Sequence, residues 1–172
     1  VAAAKRLFIS MINGFKEKLN VDDVVVTFSG RNNFRRGVDP TYKASRKKTR
    51  KPVGYAAMVT WALEEFNSVL VDELEADDVM GILGSIPETK AIIVSDDKDM
   101  KSIPAKLYRP QSDERLDTSL SEADRCFLTQ TLSGDVTDGY SGCPKVGPKT
   151  AEKILGARPT WGAVVAAYQK QE

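Results

Sequence analysis

Histidine is absent from the 172-residue chain. That excludes Ser-His-Asp and Cys-His nucleophilic mechanisms, imidazole acid–base work and His-ligated metals. Cysteine occurs only as Cys126 and Cys143, with no CxxC or other metal spacing. This argues against a disulfide scaffold and against structural zinc. No apolar run approaches the ~20 residues that span a bilayer, and no signal-peptide pattern opens the sequence. There is no internal repeat and no low-complexity tract. What remains for catalysis is carboxylates, Lys, Arg, Tyr or a metal held by oxygen. Hydrophobic residues at 41% and charged residues at 28% describe one ordinary globular domain with a real core.

A formal net charge of +1 hides two opposed regions. Residues 31–51 hold nine Lys and Arg against Asp39 alone, a net +8. Residues 72–99 hold nine Asp and Glu against Lys90 and Lys98, a net −7. A basic run suits a polyanion and an acidic cluster suits cations. Either one alone is as readily a solvated face.

Apolar spacing predicts a helix over 2–19, with Leu7, Phe8, Met11, Ile12, Phe15 and Leu19 on its inner face. Val24 to Phe28 reads as a strand buried on both faces. Residues 29–53 are basic and aperiodic. A helix follows over 54–66, then a strand at 69–71, a helix over 77–83 and a strand over 91–95. Short strands are expected at 106–109 and 115–118. Helices are expected from a Ser121 cap through Leu132, over 148–155 with Pro148 in the first turn, and over 161–169. Trp61, Phe66 and Trp161 fall at core positions. Strands alternating with helices predict an α/β fold with a mainly parallel central sheet flanked by helices.

The acidic residues fall in three groups: Glu75-Ala76-Asp77-Asp78 after one strand, Asp96-Asp97-Lys98-Asp99 after another, and Gly134-Asp135-Val136-Thr137-Asp138-Gly139 after a helix. Loops beyond the carboxyl ends of parallel strands share a rim where sites form. Carboxylates gathered there repel unless divalent cations neutralise them, and all-oxygen donors favour Mg²⁺ or Mn²⁺. Paired ions ~3.5–4 Å apart suit phosphodiester hydrolysis. Taken singly, Asp77 and Asp78 are equally first-turn acids, and Asp97 and Asp99 turn residues. Asp72, Glu73, Glu88 and Asp96 read as bystanders. The stretch Gly142-Cys143-Pro144-Lys145-Val146-Gly147-Pro148-Lys149-Thr150 sets glycines before a helix, whose first N–H groups can hold a phosphate. It matches neither a Walker loop nor a dinucleotide fingerprint.

Asn33-Phe34-Arg35-Arg36, Asp39 to Lys47, Lys51-Pro52-Val53-Gly54, Leu74 to Gly81, Ser95 to Asp99 and Gly134 to Gly142 lie in one collinear order. Together they resemble the flap endonuclease or 5′-3′ exonuclease family, most nearly the short exonucleases of tailed bacteriophages. The resemblance implies a PIN-like fold. Residues 1–133 would form the nuclease domain, with a basic arch at about 31–52, and 134–172 a helix-hairpin-helix region. It implies a structure-specific 5′ nuclease, using two Mg²⁺ or Mn²⁺ ions to hydrolyse DNA at a 5′ end, flap or duplex–single-strand junction. Glu75, Asp77, Asp78, Asp97, Asp99, Asp135 and Asp138 would hold the metals. Lys43 and Arg46 would act on the scissile phosphate. Arg35, Tyr42, Lys47, Lys48, Arg50, Lys51, Gly142, Lys145, Gly147, Lys149 and Thr150 would bind DNA, with K⁺ at the hairpin. A monomer is expected, in a bacterial host cytoplasm if phage-encoded, without membrane association.

The chain departs from that pattern in three places. The family's opening strand and its aspartate are missing. Phe28-Ser29-Gly30 has no carboxylate where the family has one. Lys145 stands where the hairpin has a glycine. The first two keep a second reading open, a catalytically impaired DNA-binding module. A third is an RNA-cleaving nuclease of the related small α/β type.

Overall fold

The structure, a computed structural model, describes residues 1–44 and 50–171. Arg46, Lys47 and Lys48 lie outside the described residues. The chain forms two compact units. The first carries residues 1–34 and the described residues from 50 to 79, the second residues 35–44 and 80–171.

In the first unit, α1 spans Ala2–Leu19 and ends on Asn20 at φ 53°, in the left-handed region. Its buried side is the row Phe8, Ile12, Phe15 and Leu19. Leu7 at 73% and Met11 at 45% exposure face solvent, against expectation, because each stands about a quarter-turn off that row. Phe8 meets Trp61 and Phe66 edge to face, with ring centroids 6.0 and 5.4 Å apart. Trp61 lies within α3, Tyr55–Glu65, and Phe66 caps its C-terminus; the two rings meet at 5.5 Å. Strands β1 (Val26–Ser29) and β2 (Ser68–Val71) pair in parallel, Val26 opposite Ser68 and Ser29 opposite Val71. β1 begins later than expected and is half-buried rather than sealed on both faces, since β2 is its one strand partner among the described residues. β2 runs into α4, Ala76–Gly84.

The second unit opens with a short helix that apolar spacing did not reveal, α2, Arg35–Val38. Strand β3 (Ile92–Val94) lies parallel to β4 (Lys106–Arg109), and β5 (Glu114–Asp117) returns antiparallel to β4. Ile93, Met100, Ala105 and Leu107 form the core beneath that sheet, with Met80, Ile103 and Leu116 against it. Gly84 lets α4 lie on β3, since a Cβ there would sit 2.7 Å from Ile93 Cδ1.

A second core joins α5 (Leu120–Ser133), α6 (Pro148–Leu155) and α7 (Trp161–Gln169) through Leu128, Leu132, Cys143, Ala151, Leu155 and Val164. α6 and α7 lie where spacing placed them. α5 is capped by Ser119 rather than Ser121: Ser119 accepts from the Glu122 N–H, and the Glu122 carboxylate accepts from the Ser119 N–H. Trp161 is not core. At the first position of α7 it meets Phe127 edge to face, at 5.8 Å, and stays 56% exposed. The α/β class with mainly parallel pairing is as expected. No helix among the described residues is long and apolar enough to cross a membrane.

Candidate functional site

Glu75, Asp77 and Asp78 belong to the first unit and stand half-buried at the start of α4. Asp78 Oδ2 accepts from the Glu75 N–H at 2.9 Å, the return half of a capping box. Ser29 Oγ, at the end of β1, accepts from the Ala76 N–H at 3.0 Å. Gly30 follows because a Cβ there would overlap Val71 O and come 2.9 Å from Asp72 Cα. The space where a carboxylate would follow β1 is thus filled by the turn after β2. Asp72 ties that turn to Asn32, whose N–H and side-chain amide both donate to it.

The second unit brings the other two acidic groups together. After β3, Asp97 caps a turn of 3-10 helix over Lys98–Ser102 by accepting from the Asp99 N–H at 2.9 Å. Asp135 enters from the loop after α5. One amide nitrogen joins them: Gln130 Nε2 donates to Asp99 Oδ1 at 2.9 Å and to Asp135 Oδ2 at 2.8 Å. Lys98 Nζ stands 3.0 Å from the same Asp135 oxygen. The Thr137 N–H donates to the other at 2.8 Å.

These contacts split the two carboxylates electrostatically. Asp135 is only 6% exposed, and burial pushes its pKa up. Lys98, the Thr137 N–H and Gln130 more than offset this and hold it at about 2. The Asp99 pKa is raised, first by burial and then by Asp97 and Asp135, against the pull of Gln130. Lys98 is raised by its bond to Asp135. One carboxylate is locked as an anion. The other carries a burial penalty and like-charge repulsion that Gln130 and Lys98 together do not offset.

The loop itself is built on two glycines. Gly134 has φ +78° and Gly142 φ +69°. A Cβ on Gly142 would overlap Gly134 N and lie 2.6 Å from Leu132 O. Asp135 and Tyr140 exchange backbone hydrogen bonds at 2.7 and 2.9 Å, closing the hairpin between them. Asp138 then projects toward α2's loop, where Lys43 Nζ is 3.6 Å and Tyr42 OH 3.4 Å away. Lys43 has φ 49° and its ammonium lies 4.9 Å over the Tyr42 ring. Arg35 lies 5.9 Å from the same ring.

Gly147 caps α6, and Lys145, Gly147, Lys149 and Thr150 are exposed around its first turn. Arg50 and Lys51 are exposed, with Lys51 Nζ 4.4 Å over the Tyr55 ring. Lys145 has φ 63°, so the backbone there takes the conformation a glycine favours. Lys145→Gly is therefore expected to keep or raise stability, by no more than about 1 kcal/mol. A thermal melt showing any loss of stability would contradict it.

The family model for the 5′-3′ exonuclease N-terminal resolvase-like domain matches residues 2–121. The chain belongs to the 5′-3′ exonuclease family. It is 44% identical over 140 residues to an exodeoxyribonuclease of Enterobacteria phage T3, covering 77% of this chain and 46% of that protein. It is 42% identical to an exonuclease of Escherichia phage T7 over the same shares. The chain thus spans about half the length of these curated relatives. A bacteriophage T5 5′-exonuclease variant shares the fold, with a TM-score of 0.73 at 12% identity, over 96% of this chain and 76% of that one. The T5 D15 flap endonuclease, solved as a pseudo-enzyme–product complex with DNA and metal ions, gives 0.71 at 14%, over 87% and 65%.

The structure draws Asp97, Asp99, Asp135, Asp138, Lys43 and Tyr42 into one unit and puts Glu75, Asp77 and Asp78 in the other. Among the described residues, no three His, Cys, Asp or Glu side chains close as a ready metal cage. The donor set is all-oxygen, which suits a hard cation. Lys98 is 61% exposed and supplies positive charge to Asp135. Sequence reasoning missed Lys98 and Gln130. Lys98 sat within the Asp97–Asp99 motif, and Gln130 one helical turn before Gly134, but neither residue type marks a site by itself.

Proposed function

We propose that this chain carries a divalent-metal-dependent 5′ nuclease that hydrolyses DNA phosphodiesters at a 5′ end, flap or duplex–single-strand junction. The observation that carries the reading is the Gln130 amide on α5 joining Asp99, from the Lys98–Ser102 turn, to Asp135, from the Gly134–Gly142 loop, in a chain of this family. Asp97, Asp99, Asp135 and Asp138, with Glu75, Asp77 and Asp78 at the start of α4, are the proposed ligands of two Mg²⁺ or Mn²⁺ ions. Bound there, the ions supply Lewis-acid activation of water and of the phosphate.

The protein's own groups position and stabilise. Asp135 stays ionised near neutrality because its donors hold it so. Lys43, next to Asp138, donates to the phosphate oxygens as their charge grows; its left-handed backbone and the Tyr42 ring restrict where its ammonium reaches. Lys145, Lys149, Thr150 and the N–H groups at the start of α6 hold the duplex backbone in a helix-hairpin-helix over 134–172, with K⁺ as its counter-ion. Arg35, Arg46, Lys47, Lys48, Arg50 and Lys51 form the basic arch over the 5′ end. Residues 1–133 make up the nuclease domain, and the protein acts as a monomer in the cytoplasm, that of a bacterial host if phage-encoded.

The test is a 5′-labelled flap duplex incubated with the chain, with and without Mg²⁺; cleavage independent of metal would overturn the reading. Lys43→Ala is expected to lower turnover on the order of 10²–10³-fold while keeping most DNA affinity. Equal cleavage with weakened binding would make Lys43 a plain phosphate contact.

A second reading, a catalytically impaired DNA-binding module, is favoured by Ser29 and Gly30. Ser29 is spent on the Ala76 N–H, and Gly30 has no room for a side chain. Metal-dependent cleavage by the chain would exclude it.

A further inference from the structure

We propose that Gln130 is a positioning residue of the metal site, one that holds Asp99 and Asp135 at a set spacing without neutralising either. The inference rests on the nuclease reading above. A side-chain amide nitrogen carries two protons in one plane. Both are committed here, one to Asp99 Oδ1 at 2.9 Å and one to Asp135 Oδ2 at 2.8 Å. The trigonal nitrogen then sets those two oxygens about 5 Å apart. Two carboxylates brought this near each other, one of them 6% exposed, would otherwise turn away from one another or take up a proton.

The chemistry of residue 130 explains why an amide stands there. A lysine or arginine would hold both anions but cancel the charge that attracts a divalent ion. A glutamate would add a third negative charge and repel both. A neutral donor draws the two carboxylates together and leaves their charge in place. Lys98 is the contrasting partner on the same Asp135 oxygen: a long, 61% exposed side chain that can swing into solvent when another cation arrives. Gln130 is half-buried on α5, with its amide fixed from both sides. Bonded to the two carboxylates, it acts through Asp99 and Asp135, as outer groups around metal ligands do.

The experiment is a Mn²⁺ titration of the purified chain without DNA, reading free Mn²⁺ by electron paramagnetic resonance, beside metal-free thermal melts and the Mg²⁺ dependence of flap cleavage. Gln130→Met keeps length and removes both donors. It is expected to bind Mn²⁺ about 10- to 100-fold more weakly, to melt within a few degrees of the parent, and to regain cleavage as Mg²⁺ is raised. Gln130→Asn keeps the amide but withdraws it by one methylene, and is expected to fall between the two. If the methionine variant fails to fold, the asparagine variant decides. Parent-like Mn²⁺ affinity in whichever variant folds, with a parent that binds and cleaves, overturns the role of Gln130 alone. A parent that binds no Mn²⁺ overturns the nuclease reading and this inference together.

Discussion

Asp99→Asn and Asp135→Asn are expected to abolish cleavage alike and to move stability in opposite directions. Each removes an anion from the proposed metal site, so each should cost at least 10²–10³-fold in rate. Their folding effects differ because their surroundings differ. Asp99 has a raised pKa, from burial and from Asp97 and Asp135, so its ionised form strains the fold near neutral pH. The asparagine keeps an oxygen for Gln130 and removes that repulsion, and the melting temperature should rise. Asp135 is held at about 2, below its ordinary 3.8. A folded pKa below the unfolded one adds stability that is present above pH 3.8 and fades as pH falls toward about 2. That shift is worth about 2 kcal/mol near neutrality. Asp135→Asn should lose roughly that amount at pH 7, and the gap to the parent should close below pH 3. Denaturant melts of both variants across pH 2–7 check this. Two variants shifted in the same direction would mean that the Lys98 and Gln130 contacts do not set the charge of the site.

Gly142→Ala is expected to unfold much of the second unit. A methyl there would overlap Gly134 N and press on Leu132 O and Ser133 C, all backbone, at a residue with φ +69°. Nothing flexible can give way, so the hairpin carrying Asp135 and Asp138 must open. The cost is on the order of 3–5 kcal/mol, overpacking and left-handed strain combined. Gly139→Ala is the control, since φ is +80° there but nothing lies within 4 Å of the added methyl. It should lose only about 1 kcal/mol, for conformation alone. Trp161 fluorescence, reporting from this unit, follows both. Equal losses in the two variants would show that the close Gly134–Gly142 approach does not hold the loop.

Much of this arrangement was legible in the amino-acid order, because local features are written in neighbouring residues. The run from Pro148 to Leu155 and that from Trp161 to Gln169 appear as helices with the expected ends. Their caps and apolar spacing need no distant partner. The three acidic groups, and the glycines around Asp135 and Asp138, were equally visible. Tertiary packing decided the rest. Periodicity placed Leu7 beside Phe8 on α1, but only contact with Trp61 and Phe66 chose which row is buried. Trp161 reads as core by its helical position and is left half in solvent, since its ring partner Phe127 is itself 46% exposed.

The same division runs through the site. Aspartate spacing marked Asp99 and Asp135, while Gln130 looked like one more helix-surface residue. Its meaning comes from a bond to a carboxylate 31 positions away, formed only when α5 packs beside the Lys98–Ser102 turn. The left-handed backbone of Lys43 and Lys145 was hidden for a related reason. Lysine does not favour that conformation by itself. The fold imposes it, at Lys43 through the backbone bond to Asp138 O and at Lys145 through the tight turn into α6. Residue order thus determined which groups are available for chemistry, and three-dimensional packing determined their charge, spacing and direction, because these depend on partners far along the chain.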